Sequence, residues 1–371
     1  MKRLSSLFIV PALLLGACQP VQQGGEAIKL GLMAPLTGDA AALGADLLNG
    51  VRWAVENINA DGGVGGKQLE LVVQDTKCTG AEGAGAAQKL VNVDKVAAVI
   101  SAECSGVTLA AAPIAEAAKV VLLSPASSNP DVTKAGDFIF RNYPSDALKT
   151  VAMAKYFKEK GYDRVALISE NTDFSQGFRT ALKAKLPATA AVFDETVEPG
   201  TKDFRTLFTR LKKVDFDVIL LNPNSDAVLA VMIQQMREAG LKQEAISHDV
   251  AESMVIPEVA GEAAEGLRFI NVPSSVGGTF ATDYEMKYGK PQASVVWGAY
   301  GFDAVNILAT VMRGGAMDGP AIRDALYDLP KYKGVVGTIS FDENGDVIGI
   351  PFQLKEFQKG AIVTLQDIPL E

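Results

Sequence analysis

The feature that most constrains the fold is an alternation of short apolar strands with amphipathic helices, which starts after the first 26 residues. AIKLGLMAP is typical of a strand, and the next helix places Leu48, Val51, Val55 and Ile58 on one apolar face. The glycine-rich run NADGGVGG ends that helix. Strands follow at LELVVQD, VAAVIS and VVLLSP, with helices between them. The alternation predicts an α/β fold whose parallel sheet is covered by helices on both faces.

The same rhythm begins again in the second half of the chain. Helices at 145–160, 175–185, 203–213 and 225–239 alternate with strands from RVALISE to GLRFINV. Residues 276–329 then favour three helices without a strand between them. About 350 residues remain once an export segment is set aside, which is too many for one ordinary core. We therefore expect two Rossmann-like lobes, each with its own parallel sheet.

The amino terminus has the layout of an export signal. Lys2 and Arg3 precede an apolar run that is too short to span a bilayer, and small residues follow it. LGAC, ending at Cys18, resembles the lipoprotein box of bacteria, in which the cysteine is acylated and becomes the new amino terminus. We expect a signal peptide at 1–17 and a lipidated cysteine with a flexible tether at 18–26. An ordinary cleavable signal that contains a cysteine is the alternative.

Two further cysteines, Cys78 and Cys104, are separated by 26 positions. Disulfides persist in exported proteins, and lipidation of Cys18 would leave these two as a pair. Two free buried thiols are the alternative. A metal site is less favoured because the chain has one histidine and no CxxC spacing.

Composition and motifs argue against several functions. The formal charge is −9 and basic residues are not clustered, which disfavours nucleic acid as a partner. The chain has no GxSxG elbow and no P-loop. His248 is the single candidate for a histidine base and could equally be a surface or loop residue, while Asp173 and Asp226 could bind an ammonium or face water. We expect a protein that is not an enzyme and holds no cofactor or metal.

Six polar loops follow the predicted strands. In open parallel sheets, ligands bind beyond the carboxyl ends of the strands, and helix N-termini in such loops favour anions. The alternative for each loop taken alone is helix capping by Ser, Thr, Asn or Asp. Three loops come from each half, so together they predict a binding cleft between two lobes. The loops are PLTGDAAALG, SAECSGVT, SPASSNP, SENTDFSQG, NPNSDA and SHDVAES.

These stretches resemble the periplasmic leucine/isoleucine/valine-binding proteins, which are type I solute-binding proteins of ABC transporters. The resemblance extends from residue 27 to about 360 and includes VENINADGGVGGKQLELVVQD, LSPASSNPDVT and GTISFDENGDVIG. It implies two lobes joined by three hinge crossovers, near 141–144, 271–274 and 335–338. Lobe 1 would comprise 27–142 plus 274–336, and lobe 2 would comprise 143–273 plus 337–371. Closure about the hinges would trap the ligand.

The resemblance also implies ligand-binding residues. Ser105 matches a serine that binds the ligand carboxylate, and Asp249 matches a glutamate that pairs with the ammonium. Ala126 and Ser128 match positions that offer a carbonyl and a hydroxyl. Around the side chain of the ligand the sequence departs from that family and leaves one aromatic residue there. The departing positions are Leu43, Glu103, Phe174, Asn224 and Val295.

Glu103 and Asn224 suggest a polar ligand of the cationic or amide-bearing kind. The alternative for Glu103 is that it faces solvent or caps the helix at Ser105. We expect a lipid-anchored, extracytoplasmic, monomeric binding protein of an ABC importer, with an amino-acid-like ligand and permease subunits as partners. The alternative is a lipoprotein of the same fold that senses a ligand or regulates cell-wall enzymes. Such a regulator would have an occluded or apolar cleft.

Overall fold

The computed structural model describes residues 26–102 and 104–370, which form two large β-sheets and one small one. The predicted signal peptide, Cys18, most of the tether and Glu103 lie outside the described residues. The predicted fold class is confirmed: two α/β units, each built on a mainly parallel sheet, make up the molecule.

The first sheet has five parallel strands in the order β2-β1-β3-β4-β5. Its central strands are buried, as their continuous apolar sequences predict. The elements of this part are β1 (Ile28–Ala34), α1 (Ala41–Ala60), β2 (Leu69–Asp75), α2 (Gly80–Gln88), β3 (Ala98–Ser101), α3 (Ser105–Ala118), β4 (Val121–Ser124) and β5 (Ile139–Arg141).

The second sheet has seven strands in the order β15-β14-β10-β9-β8-β6-β7. Five are parallel, and β14 and β15 add an antiparallel edge that the purely parallel prediction did not include. The first elements of this part are α4 (Asp146–Lys160), β6 (Val165–Glu170), α5 (Asp173–Lys183), β7 (Ala191–Val197), α6 (Arg205–Leu211), β8 (Val218–Asn222), α7 (Asp226–Glu238), β9 (Glu244–Ser247), α8 (Val255–Ala260) and β10 (Arg268–Asn271).

The remaining elements return to the first unit before the chain ends in the second. They are α9 (Phe280–Tyr288), α10 (Val295–Arg313), α11 (Gly319–Tyr327), β11 (Tyr332–Gly334), β12 (Gly337–Phe341), β13 (Val347–Ile348), β14 (Phe352–Gln358) and β15 (Ala361–Ile368). The three helices were predicted from the sequence. Within the described residues, α10 is the one helix long and apolar enough to cross a bilayer. It packs against α1 and is mostly buried, as its apolar residues on all sides predict.

Two of the three predicted crossovers lie side by side. The Tyr143 hydroxyl donates to Asn271 Oδ1 at 2.5 Å, which ties the first crossover to the second. The segment 337–348 remains attached to the first unit: the Arg141 guanidinium pairs with Asp346 at 2.6 Å, and Arg141 N donates to Gly345 O. The lobe boundaries stay a prediction, and these contacts favour a third crossover close to β14 rather than at 335–338.

Candidate functional site

An inner cavity lies between the two units, where the carboxyl ends of strands from both sheets face each other. Its volume is about 30 Å³, enough for one or two water molecules and too small for an amino acid in this conformation. A solute can therefore occupy it only if the two units move apart or the outer part of the cleft contributes space. Of the described residues, Leu43, Cys104, Ser105, Ala126, Phe174, Asn224, Asp249, Val250 and Trp297 line this cavity.

One end of the cavity is the N-terminus of α3. The N-cap residue, Cys104, makes no side-chain capping bond, whereas Thr172 caps α5 and Ser225 caps α7. The N–H groups of the third and fourth helical residues donate back to the Cys104 carbonyl. The first two N–H groups, those of Ser105 and Gly106, have no acceptor within the helix. This end of the cavity is therefore suited to an anion.

The Ser105 hydroxyl adds a donor at the same end. Its side chain is 1% exposed, and its Oγ accepts a hydrogen bond from the Asn129 N–H at 3.1 Å. Because a hydroxyl donates as well as accepts, the Ser105 hydrogen can still be given to a group in the cavity. Hydroxyl and backbone donors together form the arrangement that binds a carboxylate.

The other end of the cavity is the Asp249 carboxylate, which already pairs with a cation of the protein. Lys149 Nζ, on α4, lies 2.8 Å from Asp249 Oδ2 and 2.9 Å from Asp146 Oδ1. The Lys149 side chain is fully buried. The Ser128 hydroxyl lies 2.9 Å from Asp146 Oδ2 and 3.3 Å from Asp249 Oδ2, so its one hydrogen serves one carboxylate at a time.

Burial and pairing shift the pKa values in this cluster. Burial raises the pKa of Asp249, but Lys149 and His248 outweigh it and hold that pKa below its usual range. Burial dominates at Asp146, whose pKa is raised. Burial lowers the pKa of Lys149, but Asp146 and Asp249 outweigh it and raise that pKa. Lys149 is therefore charged, and Asp249 faces the cavity as a carboxylate that is already neutralised.

His248 connects Asp249 to the second sheet. It lies in the loop after β9, as one of the two expectations had it, but it is fully buried and not on the surface, and it packs against Phe174 and Phe178. Its Nδ1 lies 2.7 Å from Asp249 Oδ1, and its Nε2 lies 2.7 Å from Asn222 Oδ1. The histidine holds the Asp249 carboxylate in place from behind the cavity.

A larger outer chamber of about 420 Å³ adjoins the inner cavity, and both share Cys104, Phe174 and Asn224 as lining residues. Many of the residues that line the chamber are polar or charged. Glu170 lines it and accepts the Asn224 N–H at 2.8 Å, and burial raises the pKa of that glutamate. Asp39 and Lys77 add charges of both signs from the first unit.

Cys78 and Cys104 form a disulfide, as the sequence predicts. Both cysteines line the outer chamber, and Asn224 Nδ2 of the second unit lies 3.0 Å from Cys78 Sγ. The bridge also fixes Cys104 directly before Ser105, so it joins the first unit's rim to the start of α3.

The structure brings six of the eight predicted binding residues to the inner cavity. They are Leu43, Ser105, Ala126, Phe174, Asn224 and Asp249. Ser128 is buried behind the cavity wall, in contact with Asp249, and Glu103 lies outside the described residues. Val295 does not line the cavity, whereas Trp297 does and adds an aromatic wall beside Phe174 where one aromatic was expected.

Sequence reasoning missed Lys149 and Trp297. The three-residue spacing of Asp146 and Lys149 on a predicted helix was a signal for their pairing. The approach of Lys149 to Asp249, 100 positions away, had no local signal. Trp297 lies in a helix that is apolar on all sides, so its sequence context does not distinguish a cavity wall from a core position.

The sequence is similar to those of periplasmic binding proteins. The family model described as periplasmic binding protein matches residues 27–359. The Leu/Ile/Val-binding protein homolog 2 of Brucella abortus is 30% identical over 357 residues, covering 92% of this chain and 94% of that protein. The leucine-, isoleucine-, valine-, threonine-, and alanine-binding protein of Pseudomonas aeruginosa is 28% identical, with 98% of each chain covered.

Solved structures agree with the fold. The leucine binding protein LivK of Thermotoga maritima superposes with a TM-score of 0.83 at 28% identity, covering 92% of this chain and 99% of that chain. LivJ of Streptococcus pneumoniae, solved with isoleucine, has a TM-score of 0.82 at 28% identity and the same coverage.

Proposed function

Because the chain belongs to the periplasmic binding protein family, we propose that it is the extracytoplasmic substrate-binding protein of an ABC importer. It takes a small, amino-acid-like carboxylate into the cleft between its two units and delivers it to permease subunits without chemical change. Acylated Cys18 anchors the monomer to a membrane, facing the periplasm or the cell exterior.

The observation that carries this proposal is a set of polar groups from both units around one cavity between the two sheets. Ser105 and the uncapped start of α3 line it from the first unit, and Asn224 and Asp249 line it from the second. Charge-assisted hydrogen bonds to a carboxylate contribute about 1.5–3 kcal/mol each. The names of the relatives, which are amino-acid-binding proteins, agree with a solute of this size.

The alternative, a regulatory lipoprotein of the same fold, would leave the cleft occluded or apolar. An outer chamber of about 420 Å³ with charged and amide-bearing walls favours solute binding instead. The aliphatic and aromatic residues Leu43, Val250 and Trp297 supply apolar contact for the body of the solute.

The decisive experiment is to purify the full-length lipoprotein gently in detergent, denature it, and identify released metabolites by mass spectrometry. Ser105→Ala should weaken binding of the identified carboxylate by about 10- to 100-fold, because it removes one charge-assisted hydrogen bond. Ser340→Ala, in β12 and not among the residues that line either cavity, is the matched control and should bind normally. Equal affinity of Ser105→Ala and wild type, or absence of any bound or stabilising small carboxylate, would contradict the proposal.

A further inference from the structure

The electrical balance at the Asp249 end of the inner cavity limits which solutes fit there. Among the described residues, Asp249 is the carboxylate that lines this cavity. Its two oxygens are already engaged, Oδ1 with His248 Nδ1 at 2.7 Å and Oδ2 with Lys149 Nζ at 2.8 Å. Lys149 is held in turn by Asp146 and lies 5.3 Å from the ring centre of Tyr143, so it is fixed on several sides.

The hydrogen-bond pattern around His248 shows that this cluster carries no net negative charge. Asn222 Nδ2 donates to the Ser175 carbonyl and to Ser169 Oγ, so Asn222 Oδ1 faces His248 and Nε2 carries a hydrogen. The hydrogen between His248 Nδ1 and Asp249 Oδ1 belongs to one or the other. In both arrangements the charges of Asp146, Lys149, His248 and Asp249 sum to zero with Asp146 ionised and to +1 with Asp146 protonated.

An ammonium at this end of the cavity would meet no uncompensated negative charge among the residues that the structure describes. It would add a cation to a buried, balanced cluster in which Lys149 already lies against the same carboxylate oxygen. Repulsion between two buried cations is strong because little solvent screens it. Removing the ammonium from water would also cost free energy, and no free carboxylate at this end would offset that cost.

We propose that Lys149, rather than the solute, supplies the cation for Asp249, so that the solute is a small carboxylic acid without a free ammonium group. This inference rests on the proposed function and names the solute class of the same cavity. The carboxylate binds at the α3 end, the body of the solute lies against Trp297 and Phe174, and the Asp249 end receives a neutral group.

The test compares matched pairs of compounds that differ only in the amino group. Leucine is paired with 4-methylpentanoate and phenylalanine with 3-phenylpropanoate, and binding to the full-length lipoprotein is measured by calorimetry and thermal shift. The acid without the amino group should bind at least tenfold more tightly in each pair that binds. Tighter binding of the amino acid would overturn this inference and leave the proposed function standing. Absence of binding by every compound, together with no carboxylate among the metabolites released from the purified protein, would overturn both.

Variants of the cluster separate Lys149 from a general effect on folding. Lys149→Met should shift the preference at least tenfold toward the amino acid, because it frees Asp249 to pair with an ammonium. Lys149→Met/Asp249→Asn should lack that shift. Lys89→Met, which removes a lysine from an exposed pair with Asp94, is the control and should leave the ratio unchanged.

Asp249→Asn leaves the ion pair of Lys149 with Asp146 in place. It is the variant to use if Lys149→Met does not fold. It should weaken both members of a pair by similar factors. A selective loss of the amino acid, tenfold or more, would show that the solute ammonium pairs with Asp249 and would overturn the inference.

Discussion

At the scale of single residues, the charges at the cavity depend on partners from distant parts of the chain: Lys149 pairs with Asp249, 100 positions away. Ser105 and Asp249 could be assigned because they match ligand-binding positions of the family that the sequence resembles. Both also lie in loops after predicted strands, and such loops meet at one edge of a parallel sheet. Lys149 and His248 could not be assigned, because their roles depend on side chains that approach from distant parts of the chain. Charge compensation inside a fold has no periodic signature in sequence.

Asp226 offers a residue-scale prediction about pH. Burial raises its pKa to about 6, although the Ser253 hydroxyl, which donates to Oδ2 at 2.6 Å, lowers it in part. In the unfolded chain an Asp has a pKa of about 3.9, so the folded state binds more protons between about pH 4 and pH 6. The stability that Asp226 contributes is therefore complete below about pH 4 and is lost as the pH rises through about 6.

Asp226→Asn removes this dependence, and the Ser253 hydroxyl can accept from the new amide. Between pH 4 and pH 7, the free energy of unfolding of the variant should rise relative to wild type by about 2–3 kcal/mol. Urea denaturation at several pH values measures the difference. Asp203→Asn is the control, because Arg205 lowers the pKa of the exposed Asp203 to about 2, below this pH range. Its free energy of unfolding relative to wild type should show no such trend. A flat difference for Asp226→Asn would contradict the assignment.

At the scale of elements, strands and helices were predictable because their apolar periodicity is strong and their ends carry Ser, Thr and Gly signals. Ser145 caps α4, and Gly161 ends it with a φ of 70°. The antiparallel edge of β14 and β15 was not predicted, although the two strands are joined by the two-residue turn Lys359–Gly360, whose positive φ angles are typical of a hairpin. The close packing of α1 against α10 could not be predicted from the sequence either, because it depends on glycines that are far apart in the chain.

Gly50 in α1 tests this helix contact. A Cβ at Gly50 would lie 1.8 Å from the backbone oxygen of Gly298 in α10, so neither helix can yield by moving a side chain. Gly50→Ala should destabilise the protein by about 3 kcal/mol or more, because overpacking forces the helices apart. Thermal and urea denaturation followed by circular dichroism measure the change.

Gly85 in α2 is the matched control for Gly50. It is exposed, and a Cβ there would meet nothing within 4 Å. Gly85→Ala should stabilise the helix by about 0.5–1 kcal/mol, as alanine favours helices over glycine. A stable Gly50→Ala variant with the melting temperature of wild type would show that α1 and α10 are not as close as described.

At the scale of the whole molecule, two units could be inferred from the two runs of strand–helix alternation, whereas their degree of closure could not. Closure depends on a few polar contacts across the cleft. Asn129, after β4, donates from Nδ2 to the backbone oxygen of Asp173 at the start of α5, at 2.6 Å. Its Oδ1 also accepts the Asp131 N–H at 2.7 Å, so the side chain is held at both ends.

Gly177→Ala should open the cleft by acting on this contact. A Cβ at Gly177 would lie 2.4 Å from Asn129 Nδ2, and Asn129 can give way only by losing one of its two hydrogen bonds. Alanine favours α5 itself, so the effect lies between the units rather than within the helix. Loss of one bond of about 1 kcal/mol should shift the ratio of open to closed molecules about fivefold. Small-angle X-ray scattering should then give a larger radius of gyration for Gly177→Ala than for wild type and Gly85→Ala. Any opening of two lobes about their hinges enlarges the molecule. Equal radii of gyration for all three proteins would therefore show that this contact does not hold the cleft shut.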